Sequence, residues 1–172
     1  MSATRRAWSV AVYCVRGRGE DARVLLVHHR KLDLWLPVGG EVEPGETPQE
    51  AARRECIEET GFDAFVFPRI MGSHSGTPDG LLTYEEHEAG AKGLHLNLNF
   101  VVLLNQHDEH DRREPRSDGS WAEYRWVRPR AHETEDAAGA VVYESDRAPV
   151  PRNVGEIINW IPAVLSTIKG GA

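Results

Sequence analysis

From Gly40 to Phe62 the chain reads GEVEPGETPQEAARRECIEETGF, and seven of those residues are glutamates. Three of them, Glu55, Glu58 and Glu59, fall within five consecutive positions. Like charges at such spacing repel one another along a helix. Carboxylates crowded together do not all stay ionised without compensation. A divalent cation supplies it, and an all-oxygen set of this kind suits Mg2+, with Mn2+ as the alternative, rather than a thiolate zinc site. At about 100° per residue the three side chains leave a helix within an arc of roughly 100°. Ala51 and Ala52 flank them, small enough to leave room above the acidic face. A lone E-x-x-E-E is more often a solvated helix face. Here the neighbours decide: Gly39-Gly40 stands before the helix, the glycine-bearing loop Glu41–Gly45 leads into it, and Arg54 sits beside the acids.

The element that must carry these acids is well marked. Thr47 suits an N-cap, Pro48 the first helical position, Glu50 completes a T-x-x-E capping box, and Gly61 suits the stop, so a helix is predicted over Thr47–Thr60. Upstream, Trp8–Val15 and Arg23–His29 are β-rich around a turn at Gly17–Glu20, which predicts a hairpin. Leu34–Val38 is a short apolar piece ending at the glycine pair. Downstream, Ala64–Met71 reads as a strand, Gly72–Gly93 as loop, Leu94–Leu104 as a strand entering a core, Asn105–Gly119 as charged loop and Glu123–Val127 as a short strand. Arg130–Pro151 is expected to be weakly structured. Asn153–Ile168 is apolar at helical spacing, with Pro162 expected to kink it or start a new turn. Strands, a helix, more strands and a terminal helix predict an α/β or α+β fold, with helices flanking a mixed sheet.

The acidic segment resembles the Nudix box, G-x5-E-x7-R-E-U-x-E-E-x-G-U with U a bulky aliphatic. Gly40, Glu46, Arg54, Glu55, Glu58, Glu59, Gly61 and Phe62 fit it in register. Cys56 and Phe62 replace the two aliphatics, and one residue separates Pro37 from the glycine pair where P-G-G is commoner. The resemblance implies an α/β/α sandwich in which the box folds as loop, helix and loop. It implies that Glu55, Glu58 and Glu59 bind Mg2+ with the Gly39 carbonyl, that Arg54 orients a glutamate, that Glu46 pins the loop, and that Gly40 and Gly61 serve the backbone. It further implies hydrolysis of a phosphoanhydride in a nucleoside diphosphate linked to a group X. The general base is Glu55 or Glu59, or a distal acid for which Glu109, Glu114 and Glu123 are candidates.

Other positions carry two readings each. Arg30 and Lys31, just before the box, suit phosphate contacts or ordinary hairpin-end charges. Trp35 could line a nucleoside pocket by stacking, or pack in the core. Glu123, flanked by Trp121 and Tyr124, has a claim to base recognition as well as to general-base chemistry. Pro78 lies sixteen residues past Phe62, a loose match to ADP-ribose pyrophosphatases that a turn proline before Asp-Gly also explains. The small chain favours a free nucleoside di- or triphosphate as substrate, with an ADP-sugar or a non-catalytic nucleotide sensor as alternatives.

At 172 residues a single domain spanning 1–172 is expected. A net charge of −7 argues against broad binding to nucleic acid or anionic membrane. Two cysteines, Cys14 and Cys56, do not make a disulfide framework and read as reduced core thiols. No stretch approaches transmembrane length, so the expected location is the cytoplasm. Small Nudix proteins are often dimers, which makes a homodimer one expectation that the resemblance raises.

Overall fold

The computed structural model describes residues 6–88, 93–104, 114–129, 133–135, 140–143 and 148–168. Strand β1 (Arg6–Arg16) turns through a short 3-10 segment at Gly19–Asp21 into β2 (Arg23–His29). Then come β3 (Leu34–Leu36), β4 (Val38–Glu41), helix α1 (Pro48–Thr60), β5 (Phe65–Val66), β6 (Leu81–Glu88), β7 (Leu94–Leu104) and β8 (Trp121–Val127). The chain closes with β9 (Glu133–Glu135), β10 (Ala140–Tyr143), β11 (Ala148–Pro151) and helix α2 (Arg152–Ser166).

Strand β1 is the spine of a mixed sheet. It runs antiparallel to β2 and β4, and parallel to β7 from Arg6 opposite Leu94 to Val15 opposite Leu103. Strands β5 and β6 pair with the far side of β7, while β3 and β8 pair with β2. Alternation along β1 divides two cores. Val10, Val12 and Cys14 pack with Ala51, Ala52 and Cys56 of α1. Tyr13 and Val15 pack with Val154, Ile157, Ile158 and Ile161 of α2. A period of two in the strand therefore puts one helix on each face, and the result is the expected α/β sandwich. Each buried aliphatic side chain in these layers contributes about 1.5–3 kcal/mol.

Three segments differ from the sequence reading. Leu81–Glu88, expected as loop, is strand β6; its acids and histidine hide the alternation, and β7 supplies the pairing. Only Phe65–Val66 of the strand expected over Ala64–Met71 is a strand, because Pro68 follows within two residues and lacks a donor. The stretch expected to be weakly structured contains a small antiparallel sheet in the order β11, β10, β9. Helix α2 continues through Pro162 to Ser166 as one element, held by the buried face of Ile158, Ile161 and Val164.

Candidate active site

Helix α1 begins and ends as its sequence dictates. The Thr47 side chain accepts from the Glu50 amide at 3.3 Å, and a Glu50 carboxylate oxygen accepts from the Thr47 amide at 2.7 Å. Gly61 closes the helix in the left-handed region at φ 74°, its N–H donating to the Ile57 carbonyl at 2.8 Å. Ala51 and Ala52 are completely buried. They let the helix lie close on the sheet, and do not open space above the acids as the sequence reading expected.

The acids sit over β4. A methyl group on Gly40 would stand 2.2 Å from Oε1 of Glu55, so glycine is needed there for room. Oε2 of Glu59 accepts from the Gly39 amide at 3.0 Å, and Oε1 accepts from the Ser120 hydroxyl at 3.1 Å. The approach to β8 seals the same end of the helix. The Trp121 indole N–H donates to the Glu59 carbonyl at 2.9 Å, and the Arg116 amide to the Thr60 carbonyl at 2.8 Å.

Arg54 ties the outer acids together. Nη2 donates to Oε1 of Glu46 at 2.7 Å and Nε to Oε2 of the same carboxylate at 3.2 Å. Nη1 donates to Glu55 at 2.7 Å and to Glu58 at 3.2 Å, while Nη2 also reaches the Glu41 carbonyl at 3.1 Å. Such two-pronged, charge-assisted geometry is what a guanidinium supplies and an ammonium does not. Glu46 meanwhile accepts from the Glu43 amide at 2.7 Å, which fastens the loop onto itself.

Burial sets the electrostatics. Glu55 is raised above the ordinary carboxylate value by desolvation, opposed by Arg54. Glu59 is pushed up to about 7, first by desolvation and further by the charges of Glu55 and Asp118, against the hydrogen bonds from Gly39 and Ser120. Glu58 is different, its side chain 55% exposed. The three acids therefore leave one side of the helix without converging. Among the described residues no three His, Cys, Asp or Glu side chains stand at metal-holding spacing. Arg54 draws Glu55 and Glu58 outward, while Glu59 turns to Gly39 and Ser120. The donor chemistry nonetheless fits a hard divalent cation. Every candidate ligand is an oxygen, and two buried carboxylates lie together with their ionised forms under-compensated.

The remaining candidates are scattered. Arg30 is exposed, with its amide donating to the Ser120 carbonyl and its Nε to the Trp121 carbonyl, both at 3.2 Å. It thus joins the end of β2 to the segment that closes α1. Lys31 is exposed in the following turn. Trp35 is only 6% exposed, lies in the α2-side core, and has the Arg125 guanidinium 4.9 Å over its ring. Of its two readings, nucleoside stacking or core packing, the burial favours the second: this indole packs in the core. Glu123 is exposed on β8, where the pairing with β2 slips between Val27 and His29. Glu114 lies 4.0 Å from Nη1 of Arg16 and accepts from the Tyr124 hydroxyl, which raises the pKa of that phenol. Glu109 lies outside the described residues. Pro78 accepts from the Leu81 amide at 3.3 Å, forming the turn into β6.

Two residues at the site were not anticipated. Ser120 holds Glu59, and Asp118, whose charge acts on Glu59, accepts from the Ser120 amide at 2.8 Å. Asp118 falls in the segment expected as charged loop, Asn105–Gly119, and no motif in the sequence marks either residue for the site.

This architecture, with an acid-bearing helix laid over a Gly-Gly strand, belongs to a recognisable class. The NUDIX domain model matches residues 5–145, and the chain belongs to the Nudix hydrolase family. A provisionally named 8-oxo-dGTP diphosphatase of Bacillus subtilis is 45% identical over 51 residues, covering 30% of this chain and 34% of that protein. The chain thus matches about a third of that relative's length. A NUDIX-family hydrolase of Clostridium perfringens superposes with a TM-score of 0.65 at 17% identity, over 94% of this chain and 99% of that one. The NUDIX domain of Shewanella oneidensis NrtR, complexed with ADP-ribose, superposes with a TM-score of 0.59 at 14% identity, over 95% and 89%. At these identities the two structures speak to the fold. Among the described residues no helix is long and apolar enough to cross a membrane.

Proposed function

We propose that residues 1–172 form one Nudix domain that hydrolyses a phosphoanhydride bond in a free nucleoside di- or triphosphate, releasing the nucleoside monophosphate with Mg2+ bound. The observation that carries this reading is the pair of buried carboxylates, Glu55 and Glu59, held over the Gly39-Gly40 strand. The matched relative from Bacillus subtilis is named for cleavage of a nucleoside triphosphate derivative, which supports the substrate class.

Glu55 and Glu58, with the Gly39 carbonyl, would hold the cation. When bound, it neutralises phosphate oxygens and so favours attack by water in line. Arg54 orients Glu55 and Glu58 from the solvent side through charge-assisted hydrogen bonds. Among the described residues Glu59 is held by neutral donors, Gly39 and Ser120, which fix both its oxygens. That leaves it oriented, with burial raising it to about 7, and so suited to take the proton of the attacking water. Gly40 leaves the space in which Glu55 lies.

A second reading, cleavage of an ADP-sugar such as ADP-ribose, rests on Pro78. A non-catalytic sensor is disfavoured because every acid of the box is present.

The test is phosphate release from all ribo- and deoxyribonucleoside di- and triphosphates, with ADP-ribose read by formation of AMP and ribose 5-phosphate. It is run with and without Mg2+ or Mn2+, and with and without inorganic pyrophosphatase. Metal-dependent turnover of one nucleotide class, reduced about 100-fold or more in Glu55→Gln and Glu59→Gln, is expected. Turnover of ADP-ribose alone would replace the first reading by the second, and absence of turnover on every compound would refute both.

A further inference from the structure

We propose that Cys14 and Cys56 form an oxidisable pair that closes to an intrachain disulfide, tethering α1 to β1 and lowering turnover. They are the chain's two cysteines, and the fold brings them into contact. Both are free and completely buried, with their sulfurs 3.6 Å apart across 42 positions of sequence. Cys56 stands where the box pattern has a bulky aliphatic, so a thiol is not required there for packing. Its neighbours in the helix are Glu55 before it and Glu58 two positions after it.

The chemistry needs a hydroperoxide as oxidant. One sulfur attacks a peroxide oxygen and the O–O bond breaks, which gives a sulfenic acid and one molecule of water. The second sulfur then attacks the first, the S–O bond breaks, and a second water leaves with the remaining thiol proton. Two thiols are oxidised, and one hydrogen peroxide is reduced to two waters. Burial makes the first step slow, because peroxide enters only during local opening. Burial also excludes bulky thiols, and the neighbouring sulfur is at hand to resolve the sulfenic acid before further oxidation.

A disulfide is about 2.05 Å long, so closure draws the two sulfurs together by roughly 1.5 Å. The movement is carried into the helical turn that holds Glu55. Glu55 already fills the space over Gly40, and Gly40 pairs directly with Val10 on β1. Misplacement of catalytic groups by about 1 Å lowers rates by up to roughly 100-fold.

The effect on turnover rests on the proposed function, whereas the cross-link does not. The experiment treats the reduced full chain with hydrogen peroxide under native conditions. Intact mass should fall by two hydrogens, and non-reducing digestion should yield a peptide joining Cys14 to Cys56. Turnover should fall about tenfold or more and return with a dithiol reductant. Cys14→Val should give no cross-link, and its turnover should resist peroxide. Cysteine peptides left unchanged, oxygen added at Cys14 or Cys56, or a link between chains overturns the pair; oxygen added at the exposed Met71 is methionine sulfoxide and is located by the same digestion. A complete intrachain link with unchanged turnover overturns the tether's effect. If the reduced protein turns over no nucleotide, the proposed function fails while mass still decides the disulfide.

Discussion

The two ends of α1 use the same residue type in opposite ways. At the entry, Glu46 and Glu50 lie in solvent contact and are lowered below the ordinary carboxylate value, Glu46 first by Arg54 and Glu50 by the Thr47 amide. At the far end, Glu55 and Glu59 are buried and raised, and desolvation is the leading cause in both. Side-chain chemistry cannot account for the difference, since all four are glutamates. The entry acids complete the fold of the loop and helix and gain from ionisation. The buried acids lose stability by ionising, and a bound cation would reverse that loss.

Arg54 spans both regions, so removing it should have the largest effect. Arg54→Met leaves Glu55 without its cationic partner and releases Glu46 from the loop. The expected cost is about 2–4 kcal/mol in chemical denaturation, with turnover at least about 100-fold lower. Arg54→Lys should recover only a minor part, because one ammonium cannot engage Glu46 at both oxygens and still reach Glu55 and Glu58. A loss no greater than that of a surface substitution would break the comparison.

The second effect is a pH dependence of opposite sign at the two ends. Glu59 has a folded value raised from its ordinary 4.5 to about 7. Between those values the folded chain keeps a proton that the unfolded chain has lost, so stability falls as pH rises. Metal-free protein should lose about 2–3 kcal/mol from this group between pH 4.5 and 7.5, and Glu59→Gln should flatten that part of the profile. Glu46 behaves conversely. Its stabilisation is present above the ordinary carboxylate value and is lost as pH falls through its lowered folded value. Mg2+ at pH 7.5 should raise the melting temperature of the parent protein by mass action. A profile that stays flat through pH 7 in the parent would remove Glu59 from the buried class.

The legibility of the molecule follows the same division. The bounds of α1 were readable because their signals are local: Thr47, Pro48 and Glu50 at the entry and Gly61 at the stop each act on backbone groups within a few residues. The strands Arg23–His29 and Leu94–Leu104 were readable from apolar content confined to their own spans. The buried end was legible only as a pattern of residue types. That Glu59 is held by Ser120, 61 positions away, depends on β8 pairing with β2 and delivering Ser120 to the helix. Strand β6 was hidden for a related reason, since its charged residues are acceptable at an edge where one neighbouring strand does the pairing. Trp35 went to the core because β3 faces α2 at that position, a choice between two sheet faces that a three-residue strand does not announce.

The third prediction separates stability from chemistry at one position. Gly40→Ala places a methyl group where Oε1 of Glu55 now lies. The obstructed atom ends a flexible side chain, so the carboxylate can swing aside at a cost of about 1 kcal/mol or less. Turnover should nevertheless fall about tenfold or more, because the displaced group is one that would hold the cation. Equal losses in stability and turnover would show that the strand had moved instead of the side chain.

The smallest effect belongs to the cap. Thr47→Ala removes the acceptor for the Glu50 amide and one partner of the Glu50 carboxylate, which also accepts from the Thr47 hydroxyl at 2.8 Å. Loss of such a cap costs about 1 kcal/mol, and Thr47→Ser should restore nearly all of it. Glu55 and Glu59 lie more than two turns along the helix, Glu59 is fixed by Gly39 and Ser120, and Arg54 keeps its bond to the Glu41 carbonyl of β4. Turnover per folded molecule, measured well below the melting temperature, should therefore stay within about twofold of the parent, since fraying is confined to the terminal turn. A large loss of turnover in Thr47→Ala, restored by serine, would mean that the entry acids and the buried acids act as one unit, and the division between them would have to be drawn elsewhere.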